Sequence, residues 1–298
     1  MIYSELKNSM RISKLCFGCE PLGGIDWGKV EVKEIEKAIE ISLELGLNFF
    51  DTADVYGLGL SEERLSKILG NRRHDLVIST KGGVSWSSNK NSRASIAINC
   101  SPDYLAKAVE NSLRRLNLEY IPIYYVHWPD PKVEIKKTFE ILSNLQSKGK
   151  IGLIGCSNFS RDQLVDATNH ADISIVQTPL NPLDKPLPDY LSALCNKYHI
   201  QIVAYNVLGF GLLTGKFKKS QVFPAEDRRS RVDNFKTENF DDVSTKIKEI
   251  EDKARLLNMS LLEYTLDWVL KIEHVVSAIT GIKTSPQVVE NINSLQKI

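Results

Sequence analysis

Three short apolar runs each end in a polar residue able to do chemistry. Asn48-Phe49-Phe50 runs into Asp51, with Tyr56 and Gly57 just beyond; Leu76-Val77-Ile78-Ser79-Thr80 runs into Lys81; Ile123-Tyr124-Tyr125-Val126 runs into His127. Singly, each of these groups has a plain reading. A strand-end Asp or Lys is usually a solvated or capping group, Tyr56 alone is a loop anchor, and His127 alone is a hydrogen-bonded structural histidine. Together they form a set for handling protons. A phenol has an ordinary pKa of about 10; a neighbouring ammonium favours the phenolate, and a carboxylate paired with that ammonium holds it in place. On this reading Lys81, paired with Asp51, lowers the Tyr56 pKa. Such a tyrosine gives a proton to a developing alkoxide or takes one from an alcohol near neutral pH.

These groups need a scaffold that brings successive strand ends together. Eight runs rich in β-branched or aromatic residues occur at 14–17, 48–51, 76–80, 121–126, 151–156, 173–177, 200–205 and 275–279. Several are nearly continuous in apolar residues, as strands buried on both faces are. Segments of helical period separate them. Ile35, Ala38, Ile39, Ser42, Leu43 and Leu45 form a stripe ending at Gly46, a good C′ residue. Ser101-Pro102 places a capping hydroxyl before a first-turn proline, and Ser160-x-x-Gln163 and Ser260-x-x-Glu263 are capping boxes. The alternation suits an α/β fold, a closed (β/α)8 TIM barrel over residues 1–298 as one domain; a doubly wound open sheet is the competing architecture. Residues 209–242 break the period with two glycines, a proline and the cluster Arg228-Arg229-Ser230-Arg231, the size of a binding loop.

Composition narrows the function classes. The 298 residues carry 38 Lys+Arg against 37 Asp+Glu, with 42% apolar residues and five cysteines. A net charge of +1 provides no electrostatic basis for binding nucleic acid or an anionic membrane. Nothing near 18 consecutive apolar residues occurs, and the first residues lack the apolar core of a signal peptide. An odd cysteine count without a disulfide-like spacing fits a reducing, cytoplasmic compartment. Cys16-x-x-Cys19 reads as small core residues rather than a redox or metal pair.

The sequence resembles the aldo-keto reductases over nearly its whole length. The resemblance rests on Asn48-Phe49-Phe50-Asp51-Thr52-Ala53-Asp54-Val55-Tyr56-Gly57, on Ser79-Thr80-Lys81 and on Val126-His127-Trp128-Pro129-Asp130. The stretch Asn8-Ser9-Met10-Arg11-Ile12-Ser13-Lys14-Leu15 is similar to the family's N-terminal hairpin, which closes the barrel bottom. The resemblance implies a (β/α)8 barrel, a nicotinamide cofactor and a catalytic tetrad of Asp51, Tyr56, Lys81 and His127. By the same similarity Ser157, Asn158 and Gln177 would hold the nicotinamide carboxamide, and Tyr205 would stack on the ring. Asn206, Leu208, Gly209, Leu212 and Lys216 fall in a segment similar to the pyrophosphate loop, although Asn206-Val207 stand where the family usually has Ser-Pro. Gly281, Lys283, Thr284, Gln287, Glu290 and Asn291 match the adenosine and 2′-phosphate site. Lys283 as a point charge for that phosphate favours NADP(H), with NAD(H) as the alternative.

The implied reaction is reversible hydride transfer between NADP(H) and a carbonyl or alcohol, with Tyr56 as acid or base and His127 orienting the carbonyl. Glu20, Trp86, Trp128 and the 209–242 loop would line the substrate pocket. Glu20 lies where relatives often carry an aromatic or methionine, which points to a hydroxyl-rich or cationic substrate such as a sugar. Competing readings are an NAD-dependent aldose dehydrogenase of the same fold, a Schiff-base aldolase using Lys81, and a non-catalytic NADP-binding regulatory subunit. A metal-dependent hydrolase ranks low, because His74, His127, His170, His199 and His274 are scattered without a ligand motif. A small-molecule substrate and a monomer or small homo-oligomer complete the expectation.

Overall fold

A computed structural model describes residues 1–87, 96–216 and 223–298. Strands β1 (Tyr3–Glu5) and β2 (Arg11–Ser13) form an antiparallel hairpin. Then come β3 (Leu15–Gly18), β4 (Phe49–Asp51) and β5 (Val77–Gly82), a second hairpin of β6 (Val84–Trp86) and β7 (Ile96–Ile98), and the parallel strands β8 (Ile121–Val126), β9 (Ile151–Ser157), β10 (Ile173–Pro179), β11 (Gln201–Tyr205) and β12 (Val275–Gly281). The eight parallel strands close into a barrel, β12 pairing with β3 through Thr280 opposite Phe17. All eight strand candidates are strands, and the open-sheet alternative is excluded by that closure.

Helices α1 (Val32–Glu44), α2 (Leu60–Leu69), α3 (Pro102–Leu116), α4 (Ile135–Ser147), α5 (Arg161–Thr168), α6 (Asp189–Tyr198), α7 (Phe240–Leu256), α8 (Leu261–Leu270) and α9 (Ser285–Gln296) accompany the strands. Strand alternation divides the core in two. Cys16, Phe49, Val77, Ile123, Tyr125, Ile175 and Val203 face inward, joined by Leu6 and Ile12 of the N-terminal hairpin, which thereby plugs the barrel's N-terminal end. Phe17, Phe50, Ile78, Tyr124, Ile154, Ile202 and Ala278 face outward against the apolar sides of the helices. No helix among the described residues is long and apolar enough to cross a membrane.

Some local expectations hold and others need correcting. Ser160 and Ser260 cap α5 and α8 as capping boxes. Ser101 does not cap α3, because its hydroxyl donates to Asn99 Oδ1 at 2.8 Å. Leu45 falls outside the buried stripe of α1 and is exposed, while Gly46 takes the left-handed φ of 84° expected after the helix. The described part of the 209–242 region is built largely of short turns. Short 3-10 turns occupy Gly209–Thr214, Arg228–Arg231, Asp233–Phe235 and Thr237–Asn239, and α7 already begins at Phe240; residues 217–222 lie outside the described set.

Candidate active site

The loop after β4 carries Tyr56, and backbone pairing holds it along β5. Thr52 N–H donates to Ser79 O at 2.9 Å and Asp54 N–H to Lys81 O at 3.1 Å, so the strand's registration continues past its end. The 3-10 turn Glu20–Gly23 after β3 packs against this loop by a backbone contact that only glycine permits. A Cβ on Gly57 would lie 2.2 Å from Gly23 O, and Gly57 also has φ +61°. Ser61 Oγ donates to Cys19 O at 2.7 Å and Arg64 Nη1 to Leu22 O at 2.7 Å, fastening the same two segments.

At the base of the mouth, Lys81 Nζ donates to Asp51 Oδ2 at 2.5 Å and to Thr52 O at 2.8 Å. The two side chains are only 2% and 4% exposed. Asp51 Oδ1 accepts from Ser79 Oγ at 2.7 Å and from Gln177 Nε2 at 2.6 Å. Both carboxylate oxygens are therefore satisfied, as a buried charge requires. The Lys81 ammonium stands 5.0 Å from the centre of the Tyr56 ring. His127 meets that ring edge-on, with centroids 5.8 Å apart and an interplanar angle of 85°. The His127 backbone N–H donates to Gly82 O at 2.9 Å and its backbone carbonyl accepts from Asn158 Nδ2 at 2.9 Å. The four groups foreseen from the strand ends thus converge.

Their protonation differs from the simple expectation. Burial pushes the Tyr56 phenol well above its ordinary pKa, the carboxylates of Glu20 and Asp51 push it further, and Arg228 opposes them. The expected lowering by Lys81 is not what dominates here: the ammonium's charge is taken up by Asp51 and Thr52 O, and dehydration of the phenol outweighs it. Burial likewise pulls His127 well below the usual histidine value, helped by the Lys81 and Arg228 cations. The site therefore holds a protonated phenol beside a neutral imidazole.

These residues open into a cavity of about 790 Å³ running from the barrel mouth past β11 and β12. Its lining includes Glu20, Trp128, Ser157, Asn158, Gln177, Tyr205, Asn206, Leu208, Lys216, Gly281, Lys283, Gln287, Glu290 and Asn291, all anticipated from sequence. Gly209, Leu212, Thr284 and Trp86 are not among the lining residues. Leu212 is packed in the interior, and the Trp86 ring turns towards the Arg115 guanidinium, 5.9 Å from its centre. Asn158 spends its amide on the protein, with Nδ2 donating to Ser157 Oγ and Oδ1 accepting from Tyr205 OH at 2.8 Å. Glu290 pairs with Lys216, and Gln287 Oε1 accepts the N–H groups of Lys283 and Thr284 at the start of α9.

Sequence reasoning missed Trp27 as a lining residue, whereas Arg228 and Arg229 line the cavity as part of the 209–242 loop expected there. Lys283 Nζ donates to Trp27 O at 2.7 Å and lies 5.2 Å from the centre of the Trp27 ring, which in turn faces Phe210 at 6.4 Å. Arg228 Nη1 donates to both Glu20 carboxylate oxygens, at 2.8 and 2.9 Å. The arginine run marked this loop as basic, but nothing local in the sequence says which carboxylate it meets.

The cavity fits a dinucleotide. Asn206, Gly209, Phe210, Gly211 and Gly215 all have positive φ, which winds the chain tightly here, the N–H groups of Gly209, Phe210 and Gly211 being donated to Asn206 and Leu208. A Cβ on Gly211 or Gly281 would meet nothing within 4 Å, so the backbone there is open to close approach. The buried Trp27 Nε1, Thr280 Oγ1 and His127 Nδ1 have no hydrogen-bond partner among the described residues, although all three residues line the cavity.

A buried, protonated phenol at the C-terminal mouth of a (β/α)8 barrel, next to a dinucleotide-sized cleft, fits the class of nicotinamide-dependent oxidoreductases. The comparisons with known proteins agree. A model of the Aldo/keto reductase family matches residues 14–297. The chain is 31% identical over 288 residues to Aldo-keto reductase yakc [NADP(+)] of Schizosaccharomyces pombe, covering 94% of this chain and 83% of that one. It is 30% identical over 259 residues to the NADH-specific methylglyoxal reductase of Escherichia coli, covering 84% and 79%. The solved glycerol dehydrogenase AKR11B4 from Gluconobacter oxydans superposes with a TM-score of 0.86 at 30% identity, covering 97% and 89%. The chain belongs to the aldo/keto reductase family, an oxidoreductase of the carbonyl/alcohol type.

Proposed function

We propose that this protein reduces a small aldehyde or ketone with NADPH, and runs the reverse oxidation, using Tyr56 as the proton donor and acceptor. The observation that carries the reading is the buried Asp51–Lys81 pair beside the Tyr56 ring, with His127 edge-on to it. When bound, the reduced nicotinamide supplies a hydride to the carbonyl carbon and is itself oxidised. The carbonyl's π electrons move to oxygen, which takes the Tyr56 proton to become a hydroxyl; the phenolate left behind regains a proton from water. A phenol that burial keeps protonated is already in the form reduction needs. The neutral His127 donates a hydrogen bond to the same oxygen without competing for the proton. Lys81 stabilises the transient phenolate, and Asp51 keeps Lys81 in position.

The preference for NADPH is supported by two cations at the far end of the cavity. Lys283 and Arg229 lie close enough for Arg229 to depress the Lys283 ammonium, after burial. Asp227 accepts from Arg229 at 2.6 Å. A phosphate ester carries the charge to bridge this pair. In the test, absorbance of NADPH is followed with a panel of aldehydes for the wild type, Tyr56→Phe and Lys283→Gln. Tyr56→Phe is expected to bind NADPH normally and lose about 10²- to 10⁴-fold in turnover. Lys283→Gln is expected to weaken NADPH and leave NADH unchanged. Full activity of Tyr56→Phe refutes the acid assignment, and equal loss for both cofactors refutes the phosphate assignment.

A further inference from the structure

We propose that Glu20 and Arg228 act together as the substrate-selecting element, favouring carbonyls that carry a hydroxyl on the adjacent carbon over charged or purely alkyl carbonyls. This rests on the reading above, in which the carbonyl is held at Tyr56. Glu20 opens the turn after β3 and Arg228 opens a turn in the loop after β11, 208 residues away in sequence. Both line the cavity together with Tyr56 and His127. Their side chains are 23% and 31% exposed, so neither is sealed from a ligand.

The pairing corrects the expectation drawn from Glu20 alone. An isolated carboxylate in the pocket would attract a cation, but here Nη1 of Arg228 spans both of its oxygens. Both side chains keep part of their surface in water, where a charge pair is worth less than in a sealed site, so a ligand that offers equivalent hydrogen bonds competes with the pair. A hydroxyl donates one hydrogen bond and accepts others, so it satisfies the carboxylate and the guanidinium at once. An ammonium suits Glu20 and is repelled by Arg228, and a carboxylate the reverse. An alkyl group strips water from both charges and returns no hydrogen bond. The rest of the lining includes the apolar Val84 and Ile98 and the Trp128 ring. The pair lies close enough to the proton donor to be felt there: Glu20 raises and Arg228 lowers both Tyr56 and Tyr205.

The test uses four short aldehydes with NADPH: 2-hydroxypropanal, propanal, glyoxylate and aminoacetaldehyde. For the wild type, kcat/KM is expected to be about 10- to 100-fold higher for 2-hydroxypropanal than for propanal, the discrimination a site gains by hydrogen-bonding a substrate hydroxyl with partly wet partners. Glu20→Gln should gain about tenfold for glyoxylate and lose on 2-hydroxypropanal; Arg228→Gln should gain likewise for aminoacetaldehyde. Circular dichroism and NADPH fluorescence confirm that each variant is folded and loaded. Equal turnover of 2-hydroxypropanal and propanal by the wild type overturns the inference and leaves the oxidoreductase reading standing. So does a parallel loss on all four aldehydes in folded single variants. Absence of Tyr56-dependent NADPH oxidation with any aldehyde removes the underlying reading as well.

Discussion

Replacing Lys81 with Met tests how the base of the mouth is held. In the folded protein Lys81 Nζ is the donor to Asp51 Oδ2, whereas the Ser79 and Gln177 donors both go to Oδ1. Lys81→Met therefore strands one carboxylate oxygen at a site where the side chain is 4% exposed. Breaking a buried pair from one side costs about 3–5 kcal/mol. The two remaining donors place this case near the lower end, about 3 kcal/mol. At about 2–4 °C per kcal/mol for chains of roughly this size, the melting temperature falls by about 6–12 °C. Asp51→Asn strands the ammonium in the same way and loses a similar amount. In the double variant no unpaired charge remains, so its loss should fall short of the two single losses combined by about 1–3 kcal/mol. Turnover does not recover with stability, because the cation next to Tyr56 is still missing. Urea denaturation of the four proteins, alongside NADPH-dependent aldehyde reduction, provides both readouts. Strictly additive losses, or recovery of activity in the double variant, refute the reasoning.

Burial and close contact lead to three further outcomes. Because the folded state raises Tyr56 and lowers His127, both groups keep the protonation needed for reduction from about pH 6 to pH 9. The rate of reduction at saturation is therefore flat across that range, and a titration near pH 6.5 that disappears in His127→Gln contradicts the assignment. Asp54 is buried, and burial followed by the Glu62 charge raises its carboxyl well above the ordinary value. The fold then holds a proton that the unfolded chain releases, so this group subtracts stability as pH rises above about 4. Asp54→Asn should raise the melting temperature at pH 8 and have little effect at pH 4; an equal gain at both values excludes the linkage. Gly57→Ala drives a methyl into Gly23 O, so it should lower both stability and turnover, whereas Gly211→Ala, with open space around it but a φ of +100°, should cost only backbone strain. Thermal melts and steady-state rates of the two variants separate these effects.

Much of the architecture was legible because burial on both faces leaves a signature in each strand's own residues. Asp51, Lys81 and His127 could be placed at one end because parallel strands in a closed barrel all point the same way. Tyr56 was less accessible: it follows its strand by five residues, and its position depends on the loop staying in register with β5. The contacts of Arg228 and Trp27 escaped because their partners are far away in the chain. The protonation of Tyr56 was misjudged because charge type is written in the sequence and dehydration is not. Trp86 and Ser101 failed for a smaller reason, each finding a nearer partner in Arg115 and Asn99.

The Gly23–Gly57 approach carries an implication for altering this enzyme. Where two main chains touch with no side chain between them, the location of the phenol is set by the path of the chain itself. Positions 98, 128 and 228 reach the cavity from other segments. Libraries randomised at those three positions should therefore redraw the shape and charge of the chamber around a stationary proton donor, and variants with new preferences should emerge without prior loss of the chemical step.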